Sequence, residues 1–396
     1  MQENRLSRPL VFIIFADMSL LGFLNSMRGV SFPLIKNSFD VSYNNMGLMG
    51  ALTSFSAVCF CIVSGNFMNR FGLKKTIVSG FFFVVLGAGS LYFASAFWIT
   101  VCFFLILQAG FGFFEIGLNG AGVRFFTVKS ALMMNLLHFF YGVGAIGGPR
   151  FMGFMVNRMD LRWQDVYPLG LVPALILLAL TITIRFAGRE PRRPAAGTAP
   201  EGPSFWSMLK IPMVWLFGII IGLSGGLEGI SVAWSGLYLQ DVYGLDPSVT
   251  GAAFLSVFYV LYTLSRFLSG FVIEKIGYMR STIVSCLAII ILFVSAFVLG
   301  RTGIYALPVV GFFIAILWPT VLAISGGVFK ENAQTASSAM ISIAFTLSGI
   351  IQYGVGLTNR YLGAAWGYRS SLLYGTILML LLILLRQRIK VTRKNT

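Results

Sequence analysis

The chain has 396 residues, of which 57% are hydrophobic and 11% charged, and its mean hydropathy is +0.85. Soluble domains carry about 25% charged residues, so this composition excludes an ordinary soluble protein. The formal charge of +16 would suit nucleic acid in a soluble chain, but here its placement follows the two sides of a membrane, and nucleic acid is not needed to explain it.

Residues 76–114, 281–300, 302–329 and 332–359 contain no charged side chain. A helix needs about 20 apolar residues to cross a bilayer core of about 30 Å, so each stretch holds one span or two. The apolar runs are continuous rather than alternating, which argues against a membrane β-barrel. Twelve spans are predicted, at 10–34, 43–68, 76–96, 99–123, 131–156, 166–186, 211–238, 248–273, 281–300, 303–327, 335–358 and 367–387. Only Lys36, Arg158, Arg162, Arg301, Arg360 and Arg369 of the 29 Lys and Arg fall on the side opposite the termini, and Arg28, Arg150 and Arg266 lie inside spans. The positive-inside rule therefore predicts a multi-pass protein of the cell (cytoplasmic) membrane with both termini cytoplasmic. No small-residue cleavage site follows the first run, so an uncleaved first span is expected. Cys59, Cys61, Cys102 and Cys286 fall in apolar runs and are expected to be packing residues, with no disulfide or metal site.

In chain order, span one carries Asp17, Asn25 and Arg28. Asp17 and Arg28 are 11 residues apart and share a helical face. Span two ends in Gly65-Asn66-Phe67-Met68-Asn69-Arg70-Phe71-Gly72-Leu73-Lys74-Lys75. In span four Gln108, Gly112, Glu115, Asn119 and Gly122 recur at helical spacing, a polar stripe that must face a partner helix or a watery cavity rather than lipid. Intramembrane carboxylates are costly and usually functional. A carboxyl withdrawn from water there is able to exchange a proton near neutral pH, or else it is a fixed hydrogen-bonding clamp. Span five holds Asn135, His138 and Tyr141, with the single histidine read equally as a proton carrier or a satisfied hydrogen-bonder. Pro191, Pro194, Pro200 and Pro203 mark a linker, expected at 187–210, between bundles at 1–186 and 211–396. Span seven has Ser224, Glu228, Ser231 and Ser235 at helical spacing, plus Trp234. Span eight has Arg266 and then Gly270-Phe271-Val272-Ile273-Glu274-Lys275-Ile276-Gly277-Tyr278-Met279-Arg280, 205 residues after its counterpart. Trp318 in span ten and Gln352 in span eleven offer a ring face and bidentate hydrogen bonds.

The repeated segments resemble the signature loop G-x-x-x-D-R-x-G-R-[RK] of the major facilitator superfamily, with Asn69 at the first acidic position and Glu274 at the second. The resemblance implies an all-α membrane protein of twelve transmembrane helices in two six-helix bundles. It also implies a gating role for Gly65, Asn69, Arg70, Gly72, Gly270, Glu274, Lys275 and Gly277. Arg266, four residues before Gly270, reads as part of the same gate. Gly110–Asn119, Met134–Ala145 and Gly311–Thr320 are similar to spans four, five and ten of the fucose/glucose–proton symporter branch, where the span-four Glu handles protons and sugar. Branch members often carry a carboxylate late in span one. Arg28 stands in that neighbourhood here, and it reads equally as a structural ion-pair partner or as a ligand for an anionic substrate.

The expected function is secondary active transport by alternating access: proton-coupled symport of a sugar or similar small polar solute by a monomer, driven by the proton gradient with no cofactor. Glu115, Asp17, Glu228 and His138 are the proton-coupling candidates. Arg28, Asn25, Gln108, Asn119, Asn135, Tyr141, Trp234, Trp318 and Gln352 are the substrate-binding candidates. The alternative is proton-driven efflux, since Gly144–Gly153 partly matches an antiporter motif. No phosphate-binding loop, nucleophile–base pair or metal cluster is visible, so neither ATP drive nor an enzyme is expected.

Overall fold

The computed structural model describes residues 8–126, 130–184, 186 and 204–395, so most of the expected linker, 187–203, lies outside the described residues. The transmembrane helices are α1 Arg8–Phe39, α2 Tyr43–Phe71, α3 Leu73–Ser90, α4 Phe97–Phe125, α5 Ser130–Arg158 and α6 Trp163–Thr183, then α7 Pro212–Tyr243, α8 Ala252–Ile276, α9 Tyr278–Leu299, α10 Val310–Phe329, α11 Ala333–Leu362 and α12 Ser371–Asn395. Among the described residues there is no strand. The medium explains this: with no water in the hydrocarbon, each segment must satisfy its own backbone, and a helix does so. Among the described residues, ten helical segments are long and apolar enough to cross a membrane. One of them, Gly303–Leu362, is two helices that reverse at Lys330–Asn332, and α5 runs beside α1, so twelve helices stand side by side.

Breaks fall where backbone chemistry forces them. Gly72 and Gly277 end α2 and α8 at φ 87° and 91°, a left-handed region open to glycine, and each donates its N–H to the carbonyl four residues back. The 205-residue sequence repeat is thus also a repeat of local geometry. Lys74, just past the first of these turns, donates to the carbonyls of Ile182 and Ile184 at 2.6 and 2.8 Å, capping the end of α6. A wide π turn at Ile230–Trp234 interrupts α7 directly after Glu228. Around it Ser224, Ser231 and Ser235 are buried in the bundle, and Ser224 and Ser231 bond to carbonyls of their own helix.

Lipid offers no hydrophobic drive for helix association, so close van der Waals packing at small residues replaces it. A methyl group on Gly22 or Gly144 would collide with the backbone of Tyr141 or Ser19, so the α1–α5 seam needs glycine there. Two further seams, α2–α11 and α5–α8, join the first six helices to the last six. Of the four cysteines expected to pack, only Cys286 is buried, while Cys59 and Cys102 are exposed at membrane depth.

The seams are uneven. Call the side holding the start of α1 and the end of α12 the terminal side. On the far side, a Cβ on Gly47 would touch Gly356 at 3.0 Å, Asn37 donates to Gln240 at 3.2 Å, and the Tyr43 hydroxyl donates to Asp241. Five turns along α2, on the same face as Gly47, Gly65 has open space where its side chain would be. Five turns along α11 from Gly356, Ser338 is exposed. The halves therefore touch on the far side and part toward the terminal side.

Candidate functional site

Between the halves, half-buried polar side chains from five helices converge. On α4, Asn119 donates to Oε1 of Glu115 at 3.0 Å and to its carbonyl at 2.7 Å, one turn back. On α8, Arg266 donates from a guanidinium nitrogen to the Tyr262 hydroxyl at 2.6 Å, and its charge lies 4.6 Å from the centre of that ring. The same hydroxyl donates to Oε2 of Glu228 on α7 at 3.2 Å. Arg266 is also within electrostatic reach of Glu115, and Tyr141 on α5 lies within reach of Glu115, Glu228 and Arg266 together. Asn25 on α1 donates to the Tyr141 hydroxyl at 2.9 Å. Glu115 and Arg266 each sit ten residues from the terminal-side end of their helix, about 15 Å in at 1.5 Å per residue. One cation thus lies within electrostatic reach of two carboxylates contributed by opposite halves.

Above this group, toward the far side, Arg28 is half-buried on α1 with Tyr167 and Tyr259 in electrostatic reach. Tyr259 in turn lies within reach of Glu228, Tyr141 and Tyr262, which makes Arg28 continuous with the lower cluster. The neighbouring Gly29 packs against Val232 and Leu255, so α1, α7 and α8 close this roof.

The other expected residues separate from the cluster to varying degrees. Asp17 is fully buried between α1 and α6, accepts from Thr181 at 3.3 Å, and leaves its second carboxylate oxygen without a partner. It lies inside the first bundle rather than facing the cleft. His138 is half-buried within reach of Arg266. Asn135 is exposed, Gln108 is half-buried, and Trp318 stacks obliquely on Phe345, 5.6 Å between centres. Trp234 donates to Oε1 of Gln352 at 2.6 Å, and both side chains are buried in the closed far-side packing rather than free in the cleft. Asn69, Arg70, Glu274 and Lys275 are exposed at the parted terminal side, where Gly65, Gly72, Gly270 and Gly277 also lie. Arg266, expected with that gate, bonds to Tyr262 and lies within electrostatic reach of the two carboxylates.

Tyr262 and Tyr259 were missed at the sequence level. The only signal for Tyr262 is its position one turn before an intramembrane arginine. A separate groove of about 480 Å³ on the outer face of α1, α5 and α6 is lined by apolar side chains such as Phe12, Phe23 and Pro173 and plays no part in the cluster.

The sequence profile of the Major Facilitator Superfamily matches residues 12–353. The chain belongs to that superfamily. This superfamily member is 25% identical over 381 residues to the putative glucose/galactose transporter of Helicobacter pylori, covering 90% of this chain and 89% of that one. It is 22% identical over 369 residues to the L-fucose-proton symporter of Escherichia coli K12, covering 83% of each. It is 23% identical over 290 residues to the MFS-type transporter SLC18B1 of Mus musculus, 70% of this chain, and spans 61% of that relative's length. A crystal structure of the E. coli fucose:proton symporter FucP shares its fold with a TM-score of 0.64 at 18% identity, over 95% of this chain and 98% of that one. A bacterial homologue of the lysosomal transporter Spinster does so at 0.74 and 13%, over 96% of each. The protein is a multi-pass membrane transporter with a small-molecule substrate, and not an enzyme.

Proposed function

We propose that this transporter is a proton-coupled symporter of a sugar or similar small polar solute, working by alternating access as a monomer in the cell membrane with both termini cytoplasmic. The observation that carries this reading is Arg266, joined through Tyr262 to Glu228 of one half and within reach of Glu115 of the other. With both carboxylates ionised, one cation faces two anions. A proton on Glu115 leaves Arg266 matched one-to-one with Glu228, and so removes from this group an unpaired charge whose passage through the field involves about 2.3 kcal/mol per 100 mV. The bundles at 1–186 and 211–396, joined by the linker at 187–210, rock about the α2–α11 and α5–α8 seams. The names of the Helicobacter pylori and Escherichia coli relatives support sugar as the substrate class, and the proton gradient is the only energy source required.

The test is Glu115→Gln in proteoliposomes. Accumulation driven by an imposed pH gradient should disappear while equilibrium exchange of labelled substrate survives. Full concentrative uptake by the variant would remove Glu115 from the coupling step. Extrusion against substrate, driven by an inward proton gradient, would favour the efflux alternative.

A further inference from the structure

We infer that Arg28 is an anion-binding ligand in the roof of the cleft, so that the substrate is a hydroxylated monocarboxylate of hexose size, a sugar acid. The inference deepens the symport reading and rests on the cleft being the substrate site.

Three observations carry it. First, among the described residues Arg28 meets no carboxylate: Arg266 is matched to Glu115 and Glu228, and Asp17 is held by Thr181 inside the first bundle. A guanidinium about 16 Å from the far end of α1 is expensive to hold without a counter-charge, and its planar fork of donors fits a carboxylate bidentately. Second, Arg28 keeps part of its surface exposed, with Tyr167 and Tyr259 in electrostatic reach, so its donors are not all walled off. Asn25, one turn below on the same face of α1, and its partner Tyr141 continue from Arg28 as neutral hydrogen-bonding groups suited to hydroxyls.

The third observation is charge balance. With His138 neutral, Glu115, Glu228, Arg266 and Arg28 make a cleft of zero net charge when empty and deprotonated. A bound proton makes it +1, and one monoanion returns it to zero. Both states that must reorient are then neutral, whereas a neutral hexose taken up with a proton would leave the loaded cleft at +1. One unmatched arginine calls for one carboxylate, not two.

The experiment compares affinities of purified full-length carrier for D-glucuronate and D-galacturonate with those for D-glucose and D-galactose, by isothermal titration and by counterflow in proteoliposomes. Wild type should bind the acid about tenfold to a hundredfold more tightly than its parent sugar. Arg28→Gln should bring that ratio to about one, with Arg28→Lys intermediate. Acid uptake should carry protons without generating a membrane potential. Equal affinities in wild type, or the same loss for acid and sugar in Arg28→Gln, would overturn the anion site and leave symport through Glu115 standing. Tight acid binding without proton entry would uphold the anion site and refute symport. Binding of none of the four compounds to the wild type would overturn both. The wild-type ratio decides the matter even if the variants do not fold.

Discussion

Replacing Arg266 by Gln tests the charge arrangement most sharply. The guanidinium nitrogen and Oε2 of Glu228 lie no more than about 5.8 Å apart, the two hydrogen bonds of 2.6 and 3.2 Å through Tyr262 laid end to end. At an effective dielectric constant of about 20, Coulomb's law gives an attraction of about 3 kcal/mol at that separation. Water entering from the parted side screens it, and about 0.7 kcal/mol is the limit as the dielectric approaches that of water. When the cation is lost, the ionised form of Glu228 is disfavoured roughly 3- to 150-fold, Glu115 loses the same counter-charge, and the deprotonation of Glu115 that each transport cycle needs is held back with it. Net accumulation driven by a pH gradient should fall by that factor in Arg266→Gln, while exchange of labelled substrate between equal pools stays within about threefold. Arg266→Lys should recover part of the loss because the charge returns without the fork. Undiminished accumulation, or an equal loss of accumulation and exchange, would refute the role given to Arg266.

Other consequences are open to test. In a cysteine-free background, Gly65→Cys and Ser338→Cys should react with a membrane-impermeant thiol reagent from the terminal side, and Gly47→Cys should be protected from both sides; equal labelling at all three positions would contradict the uneven seam. Tyr43→Phe removes the far-side bond to Asp241, worth about 1 kcal/mol, and should raise labelling of Gly47→Cys about fivefold. Lys74→Ala uncaps α6 and should cost about 1–2 kcal/mol, lowering the apparent Tm in detergent by a few degrees without changing substrate preference; an unchanged Tm would show the cap to be idle.

The sequence made the fold legible because bilayer crossing is a local property: about 20 uncharged residues suffice to mark a span. The equivalence of Gly72 and Gly277 was legible too, since a left-handed turn asks for glycine wherever it occurs. Contacts within one helix, such as Asn119 to Glu115, followed from 3.6-residue periodicity. Contacts between helices did not. Nothing in the spacing of span eight says that Arg266 turns toward Tyr262 and two carboxylates rather than toward Glu274 two turns on, because Glu115 and Glu228 lie on other helices. In span seven, Ser224 and Ser231 flank Glu228 at helical spacing but turn their hydroxyls to carbonyls of their own helix, a local choice that spacing does not foretell. Asp17 and Trp234 are ordinary polar and aromatic positions until their partners, Thr181 and Gln352, are brought alongside from more than a hundred residues away.

The most direct measurement of the central claim is proton entry into proteoliposomes loaded with a pH-sensitive dye, with substrate added outside and no imposed gradient. Symport through the Glu115–Arg266–Glu228 group predicts acidification of the lumen in step with uptake of labelled substrate, and none with Glu115→Gln. Uptake of labelled substrate with an unchanged or alkaline lumen would contradict it.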